Sequence, residues 1–284
     1  MERRHLILFI GVFVAAISGI LIKLSDSDPF VIATYRMGYA SLMMLAISVH
    51  KGVLSKFLSM SRTGKSLIVL SGFFLGAHFA TWTASLSYTT ITVSTVIVDS
   101  SPLFVLFLSY KFLDERIDRH GAYGLAMILM GAVAIVYNEI SLDIPLLGAF
   151  LALLGSVTLA SYLVIGRKVR DGIDTLSYVT LIYVFAFLFL LLASAVRGTS
   201  LGVMVPREQL LFALLAIGPS CIGHTVYNYS LRHFKAAQVS ASILFEPIGA
   251  SILAVFILGE IPTMPILIGA ALIISGLFLV MELK

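Results

Sequence analysis

Two carboxylates in this chain stand where a carboxylate is costly, and each stands beside a proline. In "VIVDSSPLFV", residues 96–105, Asp99 precedes Pro102 by three positions; in "ILFEPIGASI", residues 243–252, Glu246 directly precedes Pro247. Both stretches lie inside apolar runs of membrane-spanning length. An interior proline removes a helical hydrogen bond and crowds the carbonyl four residues earlier, so the helix bends. Carbonyls are thereby freed near Val98 and Ile243. In lipid such a carbonyl must find protein or water. A charge at the bilayer midplane costs about 2.5–3.5 kcal/mol on insertion scales, so it faces a polar interior, pairs or stays protonated. Burial and a neighbouring cation act in opposite directions on a buried acid, which can therefore be tuned to exchange protons near neutral pH. Two roles follow for Glu246 and Asp99: proton exchange as a cavity alternates, or a neutral acid hydrogen-bonded to bent backbone.

Other polar residues share this depth. His78 and His224 precede Pro102 and Pro247 by 24 and 23 residues, with Trp82 and Asn228 one turn further on. Histidine carries protons or binds ligands near neutrality, and it also simply bonds helix to helix. Trp82 and Tyr227 can stack on an aromatic or cationic solute, or pack as core. Arg36 lies about 10 Å inside the second span, where it neutralises an acid, holds loop carbonyls or meets a solute. Ser18, Ser156 and Tyr162 are candidates for the same path, while Gly72 and Gly76 ("GFFLG") suit close helix packing. Glu115 and Glu260 end their helices and are expected to hold loop backbone or basic side chains.

The elements that must position these residues follow from composition. Hydrophobic residues make up 59% of 284 and charged ones 12%, and the mean hydropathy is +1.04. A soluble domain is typically ~25% charged. The chain is therefore an all-α protein of the lipid bilayer. The net charge of +4 comes from basic residues in short loops, and so argues for membrane orientation rather than nucleic acid. The lone Cys221 excludes a disulfide framework and a cysteine-rich metal site, and no metal or other cofactor is expected. The first apolar run is longer than a signal-peptide core and lacks a clear cleavage site, so it reads as a retained span.

A bilayer core needs about 20 helical residues. Ten runs qualify: about 6–22, 30–49, 66–87, 91–110, 120–137, 145–165, 175–195, 208–230, 237–258 and 263–281. Pro29, Pro145, Pro206, Pro262 and Pro265 fall at run edges, where helices tolerate them. With the N-terminus in the cytoplasm, only Lys23, Arg197 and Arg207 lie outside, and all other loop and terminal lysines and arginines lie inside. Both termini are then cytoplasmic.

A shift of 145 positions lays residues 85–117 over 230–262, with Ser85 on Ser230, Pro102 on Pro247, Glu115 on Glu260 and Gly124 on Gly269. Residues 1–139 and 140–284 thus read as two five-helix repeats. Five is odd, so the second repeat enters the membrane from the opposite side. Inverted repeats are the usual architecture of carriers that bind substrate near the midplane between their halves.

On "PFVIATYRMGYASL", "HFATWTASLSYTTITVSTVIVDSSPLFVLFLSYKFLDERI" and "GHTVYNYSLRHFKAAQVSASILFEPIGASILAVFILGEIPT", the chain resembles the EamA-type transporters of the drug/metabolite transporter superfamily across essentially its whole length. The resemblance implies a ten-helix fold in the cell (inner) membrane and export of small metabolites or amino acids, by proton-linked antiport or facilitated diffusion. It also implies a central cavity lined by helices 1, 3, 4, 6, 8 and 9. A glutamate before the second proline fits that family; an aspartate three residues before the first departs from it. The expected partners are a small-molecule substrate, the bilayer and protons, with the chain a monomer or homodimer.

Two other functions compete. "GPSCIGH" brings Ser220, Cys221 and His224 into one span, as an intramembrane enzyme would, yet no nucleophile elbow accompanies them. A passive channel would conduct without saturation. No Walker sequence is present to couple ATP.

Overall fold

A computed structural model describes residues 3–89, 91–116, 118–136, 146–203, 205–246, 248–249 and 264–281. Pro247, Glu260, Pro145 and Pro262 lie outside the described residues. The described chain is helical: α1 (Arg3–Lys23), α2 (Pro29–Ser48), α3 (Arg62–Ser85), α4 (Ile91–Asp99 continued by Ser101–Leu113), α5 (Arg119–Val136), α6 (Leu146–Val169), α7 (Thr175–Arg197), α8 (Pro206–Ser230), α9 (Ala236–Ile243) and α10 (Met264–Met281). Among the described residues, seven helices are long and apolar enough to cross a membrane: α1–α4 and α6–α8. The apolar part of α10 that meets the same test of composition is shorter, Leu267–Val280.

Local chemistry sets the helix ends. Asp28 caps α2 by accepting from Phe30 N at 2.8 Å, with Pro29 in the first turn; Ser61 caps α3 through Gly64 N at 3.1 Å; Asp174 caps α7 through Ser177 N at 3.1 Å. Each cap satisfies a backbone donor that has no partner within its own helix. Gly198 ends α7 with φ of 73°, a conformation that needs no Cβ.

The helices pack closely through small residues. A Cβ at Gly72 would lie 2.5 Å from the Phe185 Cβ, and one at Gly76 would lie 3.0 Å from the Ala186 carbonyl, so these glycines let α3 seat on α7. Between α5 and α10 the approach is closer still. A Cβ at Gly124 would stand 2.6 Å from the Gly276 carbonyl, and one at Gly131 would stand 2.6 Å from the Gly269 carbonyl. Gly124 and Gly131, displaced by 145 positions, are Gly269 and Gly276. The two contacts are thus reciprocal: each glycine meets the counterpart of the other. Without water to drive association, such van der Waals contact is what joins helices in lipid.

Three interruptions shape the centre. α1 turns at Ala16–Ile17. α4 breaks at Ser100, so Pro102 opens a new helical segment at its tolerated first-turn position rather than bending a continuous one. In α8, residues Ala216–His224 form a wide π-helical stretch around Pro219, which absorbs the missing proline donor. Asp99 is the last residue before the break in α4. Glu246 follows the turn at Leu244–Phe245 that ends α9.

Candidate functional site

The breaks in α4 and α9 face one another across a buried cavity. Its walls are Ala15 and Ser18 of α1, His78 and Trp82 of α3, Val98 and Asp99 of α4, Leu159 of α6, His224 and Tyr227 of α8, and Ile243 with Glu246 beyond α9. Helices 1, 3, 4, 6, 8 and 9 therefore supply the lining. The cavity's volume of about 20 Å³ holds about one water.

Each polar wall residue has a distinct environment. Glu246 Oε1 accepts a 2.6 Å hydrogen bond from the Tyr227 hydroxyl. His78 Nδ1 donates to the Gly155 carbonyl of α6 at 3.0 Å, so that in the neutral ring Nε2 is the acceptor. The Trp82 ring lies nearly parallel to that of His78, at 6.0 Å and 11°. His224 stands 6.2 Å from His78 and 5.3 Å from Tyr227, ring centre to ring centre. Ser18 returns its hydroxyl to the Ala15 carbonyl at 2.7 Å. Among the described residues, Asp99 Oδ2, Trp82 Nε1 and His224 Nδ1 are buried without a hydrogen-bond partner. Natural interiors satisfy the large majority of such atoms. Arg36 Nη1 and Nη2 are likewise buried without a hydrogen-bond partner among the described residues.

The remaining candidates form a second layer. Arg36 is 1% exposed; its Nε donates to Ser220 Oγ at 2.8 Å and its guanidinium lies 4.0 Å over the Phe79 ring. Phe79 in turn meets His224 edge to face at 5.0 Å. Asn228 donates to the Tyr162 hydroxyl and, at 2.7 Å, to the His224 carbonyl, fixing α8 to α6 behind the cavity. Arg36, Asn228 and Tyr162 are buried supports rather than wall residues. Pro102 lies elsewhere, in an apolar recess with Leu106, Leu125 and Ala241.

Two features are not visible in the residue pattern alone. Phe79 touches both Arg36 and the wall residue His224, and only the 145-position shift that pairs it with His224 marks it. The same shift pairs Trp82 with Tyr227 and Val98 with Ile243, and all four line the cavity. Ser220, the candidate nucleophile, donates to the Leu215 carbonyl at 3.2 Å and accepts from Arg36, while His224 is not among its partners. Glu115 accepts from Arg167 Nε at 2.8 Å and from Ala236 N at 3.2 Å, tying the end of α4 to α6 and to the start of α9.

Comparison with known proteins gives a consistent answer. The family model described as the EamA-like transporter family matches residues 3–137 and again 146–282. A protein of Archaeoglobus fulgidus named only as an uncharacterized transporter is 26% identical over 98% of this chain and 97% of its own length. The uncharacterized transporter YetK of Bacillus subtilis is 26% identical over 84% of this chain and 73% of its own. A probable terminal-alkyne amino-acid exporter of Streptantibioticus cattleyicolor is 25% identical over 66% and 63%. A solved crystal structure superposes with a TM-score of 0.80 at 17% identity, covering 98% of this chain and 96% of that one, which establishes likeness of fold.

Proposed function

This chain belongs to the EamA-like transporter family, and from that premise we propose that it is a secondary transporter of the cell (inner) membrane, exporting small metabolites or amino acids by alternating access. In this reading, residues 1–139 and 140–284 are inverted five-helix halves in a ten-span fold with both termini cytoplasmic. Protons exchanged at Glu246 and Asp99 drive the cycle. It is not an enzyme; the relatives that carry a functional name are named transporters.

One observation carries the reading. The cavity is lined by residue pairs 145 positions apart, Trp82 with Tyr227 and Val98 with Ile243, and by two acids at helix breaks. The double match of the family model to the two halves supports the repeat, as do the reciprocal glycine contacts of α5 and α10. Contacts in which residue i meets j′ and j meets i′ are the signature of a twofold relation. Carriers built this way hold their substrate at the interface of the halves. The relative named as an amino-acid exporter makes amino acids the first solutes to try.

The test is counterflow in proteoliposomes. A carrier exchanges labelled for unlabelled solute with saturation and accumulates it in response to a pH gradient. Glu246→Gln should abolish the pH-driven part; accumulation at the normal rate would make the carboxylate structural. Flux proportional to concentration, with no counterflow, would instead favour a passive channel.

A further inference from the structure

Among the described residues, two carboxylates and no lysine or arginine line the cavity. Glu246 is provided for: Tyr227 donates to it, and the Arg36 guanidinium, one layer back, acts on it electrostatically. Asp99 differs. It is 3% exposed and its Oδ2 has no hydrogen-bond partner among the described residues. A bare carboxylate oxygen in such surroundings is strongly destabilising unless a proton or a cation joins it.

The rest of the wall suits an organic cation. Trp82 and Tyr227, counterparts across the 145-position shift, bring an indole from α3 and a phenol from α8 to the wall. Aromatic faces attract ammonium groups and tolerate alkyl chains. Trp82 Nε1 is an unused donor, which an acceptor atom on the same guest would satisfy. A carboxylate guest would meet two acids and no cation. Arg36 lies against the Phe79 ring outside the lining, its Nη1 and Nη2 without a hydrogen-bond partner among the described residues, so a carboxylate guest would have to reach past the wall to meet it.

We propose that the cargo of this site is a small amphipathic amine: its ammonium pairs with Asp99 Oδ2, its apolar body lies between Trp82 and Tyr227, and an acceptor atom meets Trp82 Nε1. The proposal rests on the transporter reading and names the class of solute moved. Proton and cargo then exclude one another at one oxygen. The cavity must widen to admit the amine, since as described it holds about one water.

Four probes of one shape separate the alternatives: phenethylamine, 2-phenylethanol, 3-phenylpropionate and phenylalanine. Each is added to the purified protein in detergent, and the melting temperature is followed against concentration. Phenethylamine should stabilise, and 2-phenylethanol and 3-phenylpropionate should not. Asp99→Asn should weaken the amine effect by about 30-fold or more, the scale of losing one member of a buried charge pair. Should Asp99→Asn fail to melt cooperatively, Asp99→Glu is read instead, and it must keep the preference for amine over alcohol. Equal stabilisation by the alcohol or the acid overturns the proposal, as does silence of the amine, full amine response in Asp99→Asn, or tighter binding of phenylalanine than of phenethylamine. Flux is a separate readout. Amine binding without saturable counterflow would overturn the transporter reading and leave the cation site standing, whereas counterflow of phenylalanine without an amine response would do the reverse.

Discussion

Phe79 and His224, 145 positions apart, meet edge to face with ring centroids 5.0 Å apart and planes at 68°. Under the twofold relation proposed above, a residue that touches its own counterpart would lie beside the axis. The cavity wall, the Arg36 guanidinium and the π-helical stretch of α8 all adjoin this pair. Arg36 lies over the Phe79 ring and acts electrostatically on Glu246. Three predictions follow from the contacts around this centre and at its edges.

Arg36 and Glu246 should be coupled although they share no hydrogen bond in the structure. Arg36→Met keeps an apolar stem against Phe79 and removes the charge. It should lower stability by about 1–3 kcal/mol, and Glu246→Gln in the same chain should restore most of that loss. A thermal double-mutant cycle in detergent measures it. Additive effects would mean that Arg36 serves only Ser220 and Phe79.

The α5–α10 contact should tolerate no side chain. Gly131→Leu drives a bulky group against the Gly269 carbonyl, which a Cβ alone would approach to 2.6 Å. A loss of about 1–3 kcal/mol or more is expected, seen as a lower melting temperature. Gly172→Ala is the control, because a Cβ there meets nothing within 4 Å. Equal behaviour of the two variants would show that the helices separate without consequence.

Asp174 should lend the loop end of α7 an acid-sensitive stability. Burial alone would push its carboxyl up, but hydrogen bonds from Lys56 at 2.7 Å and from Ser177, at Oγ 2.7 Å and N 3.1 Å, outweigh this and hold it below the ordinary carboxylate range. A depressed folded-state value means that the contribution is full above the unfolded value near 4 and is lost as pH falls below it. Both side chains are about 40% exposed, at 43% and 40%, so water screening keeps the term under about 1 kcal/mol. Melts from pH 7 to pH 3 should show a steeper fall for the native chain than for Asp174→Asn, which keeps the N-cap acceptor.

Much of the arrangement was legible because it is local in origin. Pro102 and a buried acid announce a helix interruption near Asp99, and the chain does break at Ser100. Proline was expected to bend α4; instead it begins a segment, since its ring fits a first turn better than an interior one. The gathering of Asp99, Glu246, His78, His224, Trp82, Tyr227 and Ser18 around one cavity follows from where breaks and faces fall along apolar helices. What escaped the linear reading is tertiary. Arg36 bonds Ser220 and covers Phe79, from helices that no spacing rule relates to it. Asn228 and Tyr162 hold one another behind the cavity rather than at it, a matter of side-chain direction on facing helices. Pro247, the counterpart of Pro102, lies outside the described residues.

A chamber that admits about one water has a thermodynamic corollary for any future binding curve. On the transporter reading proposed above, the conformation that accepts a solute is wider than this one, so a measured dissociation constant will be the intrinsic constant divided by the populated fraction of that wider form. Variants that loosen the helix breaks should then tighten apparent affinity without touching a single ligand contact.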